Sequence, residues 1–241
     1  MTGTLINIIA VLFGGLLGSF LGARLPDKMR ETVMSGLGLV TAVVGMQMAL
    51  GTHNILLVMG SVLVGGVLGE WWRIEDGLEA AGRWLEERVG SAMGSTDERS
   101  ITRAFVTASL VFCVGPLTIL GSIQDGLTGD YSLLAIKSML DGFAALAFAA
   151  TLGPGVILAV ITILVYQGGL SLMAMGLGSM LGEVTRQTPW VIEMTAAGGV
   201  LILGISLILL DLRRIRVANM LPAIVIAPLA QIVLEALGIS L

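Results

Sequence analysis

Long apolar runs recur along this chain, and they constrain its fold more than any other feature. Eight stretches qualify or nearly qualify as membrane-crossing: residues 4–23, 32–50, 55–69, 102–120, 133–151, 155–181, 191–210 and 217–237. A hydrocarbon core about 30 Å thick needs roughly 20 apolar residues at a rise of 1.5 Å each. The third stretch is short and the sixth long, so their limits are the least sharply drawn. Soluble domains carry about 25% charged residues, whereas this chain has 12% charged and 56% hydrophobic residues with a mean hydropathy of +0.96. The sequence therefore predicts an all-α integral membrane protein. It would have about eight transmembrane helices in a single polytopic domain over residues 1–241, with the lipid bilayer as its principal partner.

Basic residues give an independent check, because short loops rich in Lys and Arg stay cytoplasmic. Eleven of the thirteen fall into three clusters: Arg24, Lys28 and Arg30; Arg73, Arg83, Arg88, Arg99 and Arg103; and Arg213, Arg214 and Arg216. All three share one side only if even numbers of crossings separate them, and eight spans supply two and then four. Both termini are then expected on the extracytoplasmic side of a bacterial cytoplasmic (inner) membrane, with Lys137 and Arg186 on that side too. The first seven residues lack a basic n-region, so the first apolar run is expected to stay as a helix.

Residues 71–98, between spans three and four, are charged. Within them Trp71, Ile74, Leu78, Ala81, Leu85, Val89 and Ala92 recur at spacings of three and four, the signature of one helical face. An amphipathic cytoplasmic helix over 71–92 follows, lying against the inner leaflet with Trp71 and Trp72 at headgroup level. Its acidic face (Glu75, Asp76, Glu79, Glu86, Glu87) would be repelled by anionic lipid. A partner helix or a homo-oligomer contact is the alternative.

The 33 glycines lie largely inside apolar runs, where small residues let helices approach in lipid. Gly115-Pro116 is expected to kink or break span four, since proline lacks an N–H and clashes with the preceding turn. Gln167-Gly168-Gly169 is expected to interrupt span six. Phe13-Gly14-Gly15-Leu16 is echoed by Gln167-Gly168-Gly169-Leu170 five spans on, an odd separation that would imply inverted units. Broken helices at membrane depth are tolerated only against protein or a water-lined cavity.

Asp141 falls near the middle of span five, where a carboxylate costs at least about 2.5–3.5 kcal/mol. Lys137 is four residues earlier on the same face, so an intrahelical ion pair is one explanation. The other is a solute, cation or proton site built from Gln124, Asp125, Asp130, Lys137, Ser138, Asp141 and Gln167 beside the two helix breaks, and the two explanations are compatible. Glu70 and Glu193 lie near span ends and are expected to reach water. Asn219, Pro222, Pro228 and Gln231 read as kinks and interhelical hydrogen bonds, and His53 as a solvated turn residue.

Several functions are excluded or left without support. A net charge of −4 offers no basic patch for nucleic acid. One cysteine, Cys113, excludes an intrachain disulfide and any CxxC pair. There is no GxSxG, HExxH or P-loop, and no second histidine, so neither a catalytic set, a metal nor a cofactor is expected.

The segment GSIQDGLTGDYSLL with KSMLDG, the opening GTLINIIAVLFGGLLG and the later LVYQGGL resemble the bacterial YqgA/YdfK-like membrane protein family, domain of unknown function 554. That resemblance spans nearly the whole chain. It implies a multi-span bacterial inner-membrane protein and a candidate transporter, with no established substrate or catalytic residue. Its polar string includes Gln124, Asp125, Asp130, Lys137 and Asp141. The leading expectation is a secondary transporter or channel for a small polar or ionic solute. The alternative is a non-transport scaffold or regulator acting through the amphipathic segment.

Overall fold

The computed structural model describes residues 1–22, 24, 26–89, 98–177, 185 and 187–238. Residues 90–97 of the amphipathic segment, including Ala92, the end of span six up to Leu181, and Arg186 lie outside the described residues. The described chain forms ten α-helices: α1 (Thr2–Gly22), α2 (Asp27–Ala49), α3 (Ile55–Trp72), α4 (Ile74–Val89), α5 (Glu98–Cys113), α6 (Pro116–Leu127), α7 (Ser132–Leu152), α8 (Ala159–Leu177), α9 (Pro189–Leu209) and α10 (Ala223–Ala236). Tight 3-10 turns over Pro154–Leu158 and Val217–Met220 lead into α8 and α10. Among the described residues seven segments are long and apolar enough to cross a membrane as single spans, and α5 with α6, bent by 63° between them, passes the same test only as a pair.

The bend has a covalent cause. In an unbroken helix the Phe112 carbonyl would accept from the N–H of residue 116, but that residue is proline and has none. Helix α5 ends at Cys113, α6 begins at Pro116, and the Thr118 hydroxyl donates to the freed Phe112 carbonyl at 3.2 Å. The Gly168-Gly169 pair behaves differently from expectation, because α8 runs through it without interruption. Glycine lowers helix propensity by only about 1 kcal/mol and keeps its N–H, and in lipid no water competes for the backbone. The irregular turn in span six lies instead at its start, where Gly153 adopts a left-handed φ of 97° before Pro154.

The chain clusters into two compact units: 1–35, 79–113 and 117–183 in the first, and 36–78, 114–116 and 184–241 in the second. Helices α2, α4 and α6 contribute residues to both. In the first unit α1 and α7 run parallel in backbone contact. A Cβ on Gly14, Gly18 or Gly22 would sit 2.1, 2.2 or 2.4 Å from the carbonyls of Gly142, Leu146 and Ala150 in turn. Glycine at four-residue spacing is thus a steric requirement of this helix pair. The opposite face of α1 exposes Leu5, Ile9, Phe13, Leu16 and Phe20, the face suited to lipid. Both halves of the Gly-Gly echo fall within this unit, on α1 and α8.

Span four also resolves here. Ile101 abuts Gly155, Ser109 bonds Thr162 at 2.9 Å, and Gly126 abuts Ser171. These contacts advance in one direction along span six, over about 24 Å at 1.5 Å per residue, an arrangement that suits α5 and α6 as one bent crossing and gives seven or eight spans among the described residues.

In the second unit Leu57, Val58, Ala196, Ala197, Ala223 and Ala227 form the apolar core. Gly65 and Gly69 of α3 lie against Ala223 and the Asn219 carbonyl, where a Cβ on Gly69 would be 1.8 Å from that oxygen. Asn219 also accepts from the Glu75 N–H at 2.7 Å and donates to Glu70 at 2.6 Å, while Arg216 pairs with Glu70 at 2.6 Å. Asn219 thus fastens helices together, as an interhelical hydrogen-bonding residue should.

Trp71 and Trp72 close α3 and are exposed; Arg73, with a left-handed φ of 53°, ends that helix. The amphipathic helix therefore starts at Ile74 rather than at residue 71. Within the first unit Gly82 of α4 lies against Thr102 and Phe105 of α5, and Leu85 is buried. The inner part of its apolar face is thus covered by the chain itself rather than left wholly for lipid or a partner. Ala81, placed on that face from sequence, is exposed.

Candidate functional site

Close approach of α1 and α7 brings polar side chains together at the end of the bundle where both helices begin. Lys137 and Asp141, one turn apart on α7, are 5% and 8% exposed and form an ion pair. Asn7 of α1 is fully buried and donates through Nδ2 to Asp141 Oδ2 and to Gln167 Oε1, both at 2.9 Å. Gln167 of α8 in turn donates to Thr4 Oγ1 at 3.3 Å. One connected set thus links three helices: an ammonium, a carboxylate, two amides and a hydroxyl, none more than 8% exposed. Such groups are costly at membrane depth unless paired, and every pairing here but Lys137–Asp141 joins different helices.

A second polar group sits on α6 and α8 of the same unit. Asp125 is 3% exposed, and its Oδ2 lies 2.8 Å from the Met1 amino group. Ser122 and Ser171 are fully buried and their hydroxyls make no hydrogen bond. The Asn7 carbonyl oxygen is likewise unbonded.

Of the residues singled out from sequence, Lys137, Asp141 and Gln167 are brought into one network and Asp125 into the neighbouring group. Ser138 is buried but donates to the Leu134 carbonyl of its own helix at 2.6 Å. Gln124 is half-buried, its carbonyl accepting from Thr128 at 2.9 Å. Asp130 is exposed in the α6–α7 turn, where the Ser132 hydroxyl and then the Ser132 amide hold its carboxyl below the ordinary range. Gly115 and Pro116 mark the bend; Gly168 makes ordinary contacts with Met1 and Thr4, and a Cβ on Gly169 would meet nothing. Lys137 lies in the second turn of α7, within the run expected as span five.

Asn7 and Thr4 were missed from sequence because they sit at the start of the first run, where polar residues read as a span end. Their signal was available: Gly3, Asn7, Val11, Gly14, Gly18 and Gly22 share one helical face, and Asn7 lies within that packing stripe. Glu193 needs correction. It is 1% exposed and does not reach water, because the turn after α2 folds over it, Thr52 Oγ1 and the His53 amide both donating to its carboxylate. The His53 residue itself is exposed.

The family described as "Protein of unknown function (DUF554)" matches residues 2–232. The chain belongs to DUF554. Among similar members is "Uncharacterized membrane protein YdfK" of Bacillus subtilis (strain 168), 28% identical over 99% of each chain. Another is "Uncharacterized protein YqgA" of Escherichia coli (strain K12), 31% identical over 93% of this chain and 94% of the relative. No solved structure matches. DUF554 membership brings a membrane protein without an assigned activity, so the polar network is the feature from which function has to be argued.

Proposed function

We propose that this DUF554 protein is a secondary transporter or channel for a small polar or ionic solute, and not an enzyme. One observation carries the reading: the Lys137–Asp141 pair is tied by Asn7 and Gln167 into a hydrogen-bonded set across α1, α7 and α8. A buried ion pair is often no more stabilising than apolar residues of the same volume. The amides of α1 and α8 set against the charge pair of α7 offer exchangeable donors and acceptors that a solute can take over as helices part. The scaffold alternative draws less support, because Leu85 and Gly82 of α4 are engaged within the chain. The reading places the protein in the bacterial inner membrane with both termini extracytoplasmic.

The test is a stabilisation screen of detergent-purified protein over ions, amino acids and nucleobases, repeated on Asp141→Asn, Lys137→Met and the double variant. A solute that stabilises the parent and loses its effect in all three variants supports transport through this network. A stable double variant that keeps the full response would falsify the site and leave a structural ion pair. C-terminal fusions should show active alkaline phosphatase and dark green fluorescent protein; the reverse would invert the orientation.

A further inference from the structure

Among the described residues three buried side-chain oxygens have no partner, Asn7 Oδ1, Ser122 Oγ and Ser171 Oγ, and a fourth, Asp125 Oδ2, has only the Met1 ammonium. Buried polar atoms are rarely left so, and helical serines have an easy remedy in bonding the carbonyl three or four residues back. Ser138 and Ser206 of this chain take that remedy. Ser122 and Ser171, both 0% exposed, do not. Their helices are in backbone contact beside them: a Cβ on Gly126 would lie 2.3 Å from the Ser171 carbonyl. Ser122 and Asp125 are three apart and therefore share a face of α6. Asn7 meets α8 at Gln167, one turn from Ser171.

We propose that Asp125, Ser122 and Ser171 bind one monovalent alkali cation, with Asn7 Oδ1 the adjoining oxygen toward the Lys137–Asp141 network. Oxygen ligands select hard cations, and a single carboxylate matches a single positive charge. Asp125 already draws a cationic group, since the Met1 amino nitrogen lies 2.8 Å away, yet that group leaves both serine hydroxyls unbonded. A proton would satisfy the carboxylate alone; a cation accepts the carboxylate and both hydroxyl oxygens together. The proposal deepens the transport reading by supplying a coupling ion, and it rests on that reading only for the ion's role, not for its binding.

The experiment melts the detergent-purified full chain in sodium, potassium or choline chloride at equal ionic strength. Sodium or potassium should raise the melting temperature saturably above choline, and the ion giving the larger rise is the one bound. Asp125→Asn and the Ser122→Ala/Ser171→Ala double variant should abolish that rise. In choline the serine variant should melt at or above the parent, having lost two unbonded buried hydroxyls, so it remains informative if Asp125→Asn does not fold. Equal melting in all three salts, or an undiminished rise in the serine variant, overturns the proposal. A missing cation response beside an intact Asp141-dependent solute response removes the cation site and leaves the transport reading standing. A cation response without any solute response does the opposite.

Discussion

Removing one charge of the Lys137–Asp141 pair is expected to damage the protein far more than removing both. The side chains are 6% and 12% exposed, so solvent does little to screen them. Stripping one partner from a buried pair costs about 3–5 kcal/mol, because the other charge is left without compensation. In Lys137→Met the Asn7 amide still donates to Asp141. Interhelical hydrogen bonds in membranes are worth about 0.6–1.7 kcal/mol, so this variant should lose about 2–4 kcal/mol. Asp141→Asn leaves the ammonium facing a neutral amide and should lose about 3–5 kcal/mol. The double variant replaces both charges and should lie within about 1 kcal/mol of the parent. At roughly 2–4 °C per kcal/mol for a chain of this size, the single variants should melt about 4–20 °C lower and the double near the parent. Thermal melts of all four proteins in one detergent give the coupling directly. Single losses that simply add in the double variant would refute a buried, mutually compensating pair.

Bulk added to the α1–α7 seam should be destabilising in proportion to contact. Gly14→Leu and Gly18→Leu should cost more than about 1–3 kcal/mol, whereas Gly169→Ala, whose Cβ meets nothing, should be neutral or slightly stabilising by thermal melt. Spin labels at Leu85 should be shielded from water-soluble quenchers while labels at Glu79 and Glu87 are not, as their burial implies; equal quenching at all three would contradict the packing of α4 on α5. Ser132→Ala should let the Asp130 carboxyl rise toward its ordinary range, read by carboxylate chemical shift. Since the folded state lowers this pKa, its contribution to stability is present above the ordinary carboxylate pKa and fades as pH falls through the lowered value.

The candidate site was only partly legible in the sequence. Asp141 and Lys137 stood out because a carboxylate inside an apolar run has a known cost and a cation lay one turn away. Asp125 and Gln167 stood out beside Gly and Pro residues, though only Gly115-Pro116 bends its helix. Asn7 escaped because a polar residue near a span end reads as solvated unless its place on the glycine face of α1 is weighed with it. Glu193 escaped for the converse reason: its position near a helix start suggested water, and only the fold of the 52–53 turn covers it.

Membrane residence, a count of seven or eight spans and the bend at Gly115-Pro116 were determined by the sequence alone. Each rests on a property of a contiguous segment: an apolar length matched to the bilayer, or a proline that lacks an N–H. Which polar groups meet was decided by tertiary structure, because it depends on register between helices far apart in the chain. The glycines of α1 allow contact with α7, but their spacing does not say which helix will fill the groove. Only when α7 does so does Asn7 reach Asp141, 134 residues away in sequence. Interhelical register is a sum of many weak packing terms, and no single segment carries it.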